Sequence, residues 1–406
     1  MKKLFILLII GVFISTGLFA QFELPQIDNK PFKQVKVKLG ADFAMQYQAL
    51  NQYADSSLVP LGKGVNLPTA NMNINAYLAP GIAVNVTIYL SSRHHLETWV
   101  KGGYLIIDRL PIKGTENFMK NLTLKAGVME INYGDAHFFR SDNGNIIRNP
   151  FIGSPVMDAF TTAVAAELYF RKNSFLVMAG LTGGTLKPSL VGYSSYTHRY
   201  TTYNMFKEMA FYWKIGIDKA FSKSKRLRIT LSGYNNPKNH FGSLYYGERT
   251  GSRFYLVMIR PTYSSADVNI SDNPFTGRWG PGFTNKLNSY MFNVFAKLSG
   301  LEVFGTLERA KGTTAFGGAN FNFTQYIASA QYYFGKDQDF YVGGRINGVN
   351  NHQNQSITRF EGGLGWFFTK NILIKAAYVN QKYNNFSQYG NNAGFKGLML
   401  EAGISF

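Results

Sequence analysis

Between Val35 and Ala49 the chain alternates. Val35, Val37, Leu39, Ala41, Phe43, Met45, Tyr47 and Ala49 share one parity, and Lys36, Lys38, Gly40, Asp42, Ala44, Gln46 and Gln48 the other. Successive side chains of a strand point to opposite faces, so this segment has one apolar face and one wet face. A helix would scatter the same lysines around its circumference. The pattern recurs at Ala70–Leu78, where Asn71, Asn73 and Asn75 take the wet face, and after Pro80-Gly81 at Ile82–Ser91. Further copies run at Leu96–Arg109, Asn121–Ile131, Ala163–Arg171, Ser174–Leu181, Met209–Phe221, Leu227–Tyr234 and Arg253–Ile259. The rest are Tyr290–Ser299, Leu301–Lys311, Thr324–Phe334, Phe340–Asn347, Thr358–Phe368, Ile372–Gln381 and Phe395–Phe406, seventeen in all.

The connections alternate in length. Pro80-Gly81, Lys172-Asn173, Ser299-Gly300, 335–339 and 369–371 are tight, whereas 51–68, 132–160, 182–206, 235–252, 271–288, 347–356 and 382–394 are long and polar. Short turns at one rim and long loops at the other are the signature of a transmembrane β-barrel. A propeller would need a blade-length repeat, which is missing, and a sandwich rarely carries so many strands. The predicted fold is therefore all-β, a transmembrane antiparallel barrel spanning 35–406. Bacterial barrels have an even strand number, so a weakly patterned strand at Tyr263–Ile270 is expected to bring the count to eighteen, with sixteen as the alternative. Cylinders of that size are too wide for inward side chains to fill, and they enclose a water channel.

Something must narrow such a channel, and the candidate is the loop after the fifth strand, 132–160. Its Phe138, Phe139, Ile146, Ile147, Phe151 and Ile152 want burial that a solvated loop does not give. Folding into the lumen would supply it; a cap or adhesive loop outside the barrel is the alternative. Ser154-Pro155 ahead of Val156, Met157 and Phe160 predicts a short capped helical turn. Asp135, His137, Arg140, Asp142, Arg148 and Asp158 would then reach the narrowest section, where facing charges of opposite sign would set up a transverse field.

These features together resemble a bacterial outer-membrane porin. The stretch from Asn132-Tyr-Gly-Asp-Ala-His137 through Asn149-Pro-Phe151 is similar to Bacteroidota-type porins, of the general or phosphate-selective kind. The resemblance covers nearly the whole chain after the leader. It implies that Leu400, Ala402, Ile404 and the terminal Phe406 are the signal read by the barrel-insertion machinery. Members of that family are often trimers, so a homotrimer is among the expected assemblies.

Residues 1–20 read as a secretory signal peptide: Lys2-Lys3, an apolar core from Leu4 to Ile14, and a small-residue exit at Ala20. A periplasmic segment is expected at 21–34. The leader lacks a Leu-x-x-Cys lipobox, and the absence of cysteine rules out thiol catalysis and Cys-ligated metals. The chain has 42 Lys and Arg against 23 Asp and Glu, a net charge of +19. On the wet faces the excess is smaller. Lys36, Lys38, Lys101, Lys125, Lys214, Arg228, Lys297, Arg345, Arg359 and Lys375 stand against Asp42, Glu167, Asp218, Glu302, Glu308, Glu361 and Glu401. These predict a pore lining with a mild preference for small anionic solutes, while the loop cations suit lipopolysaccharide phosphates.

The 34 Phe and 25 Tyr suit girdles at the two lipid–water interfaces. Nucleic acid is not an expected partner of an exported barrel. The six histidines fall in loops, and Ser91-Ser92-Arg93-His94-His95 lacks a third group to orient a base. Enzymatic activity is therefore not expected, and no metal or cofactor is implied. An outer-membrane hydrolase working through His94 or His95 is the weaker alternative.

Overall fold

Sixteen of the alternating segments become the staves of a closed antiparallel cylinder. The computed structural model describes residues 22–23, 32–66, 68–91, 99–183, 191–202, 209–237, 243–246, 251–253, 255–261, 275–313 and 320–406. In chain order the first eight strands are β1 (Lys36–Tyr53), β2 (Thr69–Ala79), β3 (Ile82–Ser91), β4 (Trp99–Ile107), β5 (Leu122–Glu130), β6 (Thr162–Lys172), β7 (Phe175–Thr182) and β8 (Ala210–Ser222). The second eight are β9 (Lys225–Asn236), β10 (Leu287–Leu298), β11 (Leu301–Thr313), β12 (Asn320–Phe334), β13 (Phe340–Asn351), β14 (Ser356–Thr369), β15 (Ile372–Asn384) and β16 (Ala393–Ser405). Each pairs with its neighbours in sequence. The cylinder closes where β16 returns to β1, with Asp42 opposite Ser405 and Tyr53 opposite Gly394. Closure leaves no unpaired edge. The two-residue strand Gly64–Val65 leans on β1, and a small hairpin, Val191–Ser194 with Arg199–Thr202, forms a separate sheet.

Among the described residues the closed cylinder has sixteen strands, the alternative reading, where eighteen is the favoured one. Arg253–Ile259 alternates as a strand does yet joins no sheet: of this segment, residue 253 and residues 255–259 are described, and they run inside the barrel. Tyr263–Ile270 lies outside the described residues, as do residues 1–20, expected to be a signal peptide, and His94-His95. The tight turns sit where the pattern placed them. Asn173 and Ser299 adopt positive φ of 57° and 55°, the left-handed geometry that short hairpin turns need.

Parity assigns the two faces as the alternation predicts. On β1 the even positions Ala44, Gln46 and Gln48 are buried, while Phe43, Met45 and Tyr47 are exposed. Leu307, Leu364 and Leu398 repeat this outward apolar exposure elsewhere on the cylinder. So large an exposed greasy belt is at odds with water and is what hydrocarbon requires. At the short-turn rim, Phe334, Phe340, Trp366 and Phe368 form an outward aromatic cluster, with Phe340 stacked on Trp366 at 6.0 Å. This is an interfacial girdle. Leu400 and Ile404 also face outward, and Phe406 is exposed at the same rim. The chain is a transmembrane β-barrel of the outer-membrane type.

Leu307 stands at the middle of β11 on the lipid face. A Leu307→Arg substitution is expected to cost about 2–4 kcal/mol of stability, the usual penalty for a cation at the bilayer midplane. Urea unfolding in lipid vesicles measures it, and a loss near zero would place Leu307 in water.

Candidate pore and its constriction

The lumen is filled on one side and open on the other. The filling is the 131–161 segment between β5 and β6, which turns inward as the sequence predicts. Entry takes a glycine. Gly134 has φ 66°, and a Cβ there would lie 2.1 Å from the sulfur of Met291 on β10. Short 3-10 turns follow at Ala136–Phe139 and Asn143–Asn145, the second capped by Asp142 accepting from the Gly144 amide at 3.1 Å. The helical turn expected after Ser154 does not form. The Val156 amide donates to Asn347 Oδ1 at 2.7 Å and the Met157 amide to Gln325 Oε1 at 3.1 Å. Wall side chains supply the acceptors that a helix would have supplied from its own backbone.

The same device repeats around the wall from β13 to β15. Glu361 accepts from the Ile152 amide at 2.6 Å, and Arg345 donates to Gly153 O at 3.0 Å. Arg359 donates to Ser154 O at 2.6 Å, and Lys375 to Asn149 O at 2.9 Å. Inward Phe295, Phe304 and Phe395 are buried and give Phe139 and Ile152 an apolar bed, Ile147 packs on the cluster of Tyr341, and the Arg345 guanidinium covers the Phe151 ring at 4.9 Å. A loop buried in a lumen carries backbone groups that need partners, and here charged side chains are the partners.

That changes the role of the inward charges. Lys214, Arg228, Arg345, Arg359, Glu361 and Lys375 point into the barrel as expected, but they are buried clamps and not a water-facing lining. Lys297 is paired with Glu302 at 2.8 Å, and Lys36 stands exposed at the rim. Lys38, Asp42, Lys101 and Lys125 do border the open space. The loop charges are likewise in contact and not set across a gap. Arg140 grips both carboxylate oxygens of Asp158 at 2.7 Å and lies over the Phe160 ring at 3.6 Å. Asp135 accepts from Arg228 and from Lys214 at 2.8 and 2.9 Å, Asp142 pairs with Lys101, and His137 with Glu130. Arg148 borders the open space. A transverse field between separated rows is therefore not what the geometry provides.

Electrostatics follows the pairing. Burial pushes the Asp135 carboxyl up, but Arg228 and Lys214 outweigh it and hold the group well below the usual range. Asp142 is also lowered, with Lys101 and Arg140 overcoming the effect of burial. Glu23, pulled down to about 2, faces the same balance between burial and the cations Lys214 and Arg228.

A second inserted segment takes the place of an expected strand. Residues 255–259 run along the inner face of β1. Gln48 accepts from the Leu256 amide at 3.1 Å and donates to its carbonyl at 2.6 Å, and Gln52 accepts from the Met258 amide at 2.7 Å. Arg253 donates to Thr69 and Asn143, and Tyr255 to Ile152 O. The inward glutamines of β1 were the signal: side chains able to imitate a backbone partner.

Among the described residues, a cavity of about 730 Å³ lies along β1 to β6. Its wall is an amide ladder. Asn73 donates to Asp42 at 2.7 Å, Asn85 to Asn75 at 2.7 Å, and Thr87 to Asn73 at 3.0 Å. Lys38, Lys101, Lys125, Arg148 and Arg171 border it, against Glu23, Asp42, Glu130 and Asp142. Phe22 and Glu23, expected outside the barrel in the 21–34 segment, are buried within it.

No family model matches this chain, and no curated protein matches it in sequence. Solved structures do match in shape. An anion-selective porin from Comamonas acidovorans aligns with TM-score 0.53 and 10% identity, over 92% of this chain and 100% of that one. The outer membrane channel DcaP of Acinetobacter baumannii gives 0.52 and 10%, over 92% and 98%. OmpT of Vibrio cholerae, described as a trimer form, gives 0.51 and 9%, over 92% and 100%. At such identities the likeness is one of fold.

Two outcomes follow for the inserted loop. Asp158→Asn leaves the buried Arg140 without its bidentate partner, a loss of about 3–5 kcal/mol. It should expose the 131–161 segment to trypsin in a barrel that still migrates as folded. Asp135 and Glu23 both have depressed folded pKa values, so their contribution is complete above the ordinary carboxylate pKa and lost as pH falls through the folded one. The urea midpoint, followed by tryptophan emission, should decline from pH 4.5 towards about 2. A flat profile there would disprove the assignment.

Proposed function

We propose that this barrel is an outer-membrane porin, passing small hydrophilic solutes by passive diffusion with a mild preference for anions, inorganic phosphate among them. The observation that carries the reading is the off-centre cavity. A sixteen-strand cylinder is wide enough for water, and here the 131–161 segment fills the side of β10 to β15, a second segment covers part of β1, and a cavity remains along β1 to β6. An adhesive or purely structural barrel has no use for a lumen lined by amides and partly charged groups. The bordering charges are close to balance, which favours a weak selectivity over a strong one. Arg148 tips it, because it sits on the inserted loop facing the cavity.

The fold shared with the anion-selective Comamonas porin supports the same reading. The trimer form of Vibrio OmpT makes a homotrimer the natural assembly to look for. Outward Leu400, Ala402 and Ile404 with Phe406 are proposed as the mark by which insertion machinery takes up the chain.

Refolded protein in planar bilayers under a salt gradient should show discrete conductance steps and a reversal potential of anion-preferring sign. Arg148→Glu reverses a charge within a Debye length of about 8 Å of the path and should move that potential towards cations. Protein that folds yet conducts nothing would refute the channel.

A further inference from the structure

Phe22 and Glu23 occupy a seat built for them. The Phe22 ring meets Phe138, Phe139 and Phe295 edge-on, at centroid distances of 5.5, 5.8 and 5.3 Å. The Arg228 guanidinium covers the ring at 4.3 Å and that of Arg226 at 4.9 Å. Beside it, Glu23 accepts from both terminal nitrogens of Arg228 at 2.8 Å and from Lys214 Nζ at 3.2 Å. Asn132 adds an amide at 3.4 Å. An aromatic cup next to a pair of cations selects an aromatic residue followed by an acid.

Charge balance says that the seat is incomplete when empty. Lys214, Arg226 and Arg228 are three cations, and the acids in contact with them are Asp135, Asp218 and Glu23. Without Glu23, buried Lys214 and Arg228 share Asp135 and the rim residue Asp218, leaving buried positive charge under-compensated. Buried charge without a partner is strongly destabilising, so an acidic occupant is favoured.

Position gives the occupant a consequence. Both residues border two cavities, the 730 Å³ space along β1 to β6 and another of about 250 Å³. The smaller reaches Asn173 and Ser174, in the turn between β6 and β7. Phe22 and Glu23 therefore stand between the solute path and the short-turn mouth. We propose that this seat is a binding site for an aromatic–acidic peptide segment, that the chain's own Phe22-Glu23 is its occupant, and that occupancy narrows the short-turn mouth. The narrowing rests on the channel reading above, while the seat itself does not. The occupant belongs to the same chain as the seat, which favours it over a free peptide.

Two measurements on the full chain with its leader removed test this. Carbodiimide joins a carboxylate to an amine in contact with it, and should link Glu23 to Lys214. A digest without that linked peptide pair overturns the seat, whether or not the protein conducts. In bilayers, the Phe22→Ala, Glu23→Gln double variant should conduct about twofold more than the unaltered protein, as expected when one constriction in the path is relieved. A synthetic tripeptide Gln-Phe-Glu at millimolar concentration on the short-turn side should reverse the gain. Equal conductance in a variant that migrates as folded overturns the narrowing. If the link forms and neither protein conducts, the channel reading fails and the seat stands.

Discussion

In hydrocarbon an unpaired amide or carbonyl has no water to turn to, and every other feature of this molecule follows from that constraint. A sheet crossing lipid must close, so β16 has to find β1. Closure with sixteen staves makes a cylinder wider than its inward side chains can fill. The same demand for partners then reappears inside. Any loop drawn into that space brings its own amides and carbonyls, which the sheet's backbone, already paired, does not satisfy. Inward side chains must do it.

This explains a lumen that is charged without being simply a charged pore. Arg345, Arg359, Glu361 and Lys375 meet the backbone of 146–154 with hydrogen bonds to charged groups, which are stronger than neutral ones. Arg345 and Lys375 also have an acid at hand, Glu361 and Glu401, and Arg359 is held by Gln381 and the carbonyls of Ser154 and Gly277. Buried charges without partners would be prohibitive. Pairing removes most of their field from the water path, so the +19 of the chain says little about what passes through it.

Period-two alternation made the barrel legible because lipid imposes a one-sided rule on every stave, and β1 obeys it from Phe43 to Tyr47. The inserted loop was legible because Phe138, Phe151 and Ile152 are too apolar for a solvated connection. The strand number was not, because Arg253–Ile259 is as apolar as a stave, yet Tyr255, Val257, Met258 and Ile259 are all buried inside the barrel, with backbone groups held by Gln48 and Gln52. An apolar run reports burial; it does not report which groups supply the backbone's hydrogen bonds. Nor could spacing reveal that Lys214 and Arg228 face Asp135 and not water, since that depends on where a loop far away in sequence comes to rest.

Inserted segments also decide which side of the cylinder stays open. The filled wall, β10 to β15, carries inward aromatic and ionic residues that match the loop. The open wall carries Asn73, Asn75, Asn85 and Thr87 on β2 and β3, short neutral groups bonded to one another and to the Asp42 carboxylate, while Asn71 beside them accepts from Asn143 of the inserted loop. Amides partnered with one another leave few groups to bind a solute tightly. A diffusion path needs such a wall, because a solute held strongly would block its successors. The division of inward residues into clamps and a self-satisfied ladder thus follows from asking one cylinder both to anchor its own constriction and to leave water a way past it.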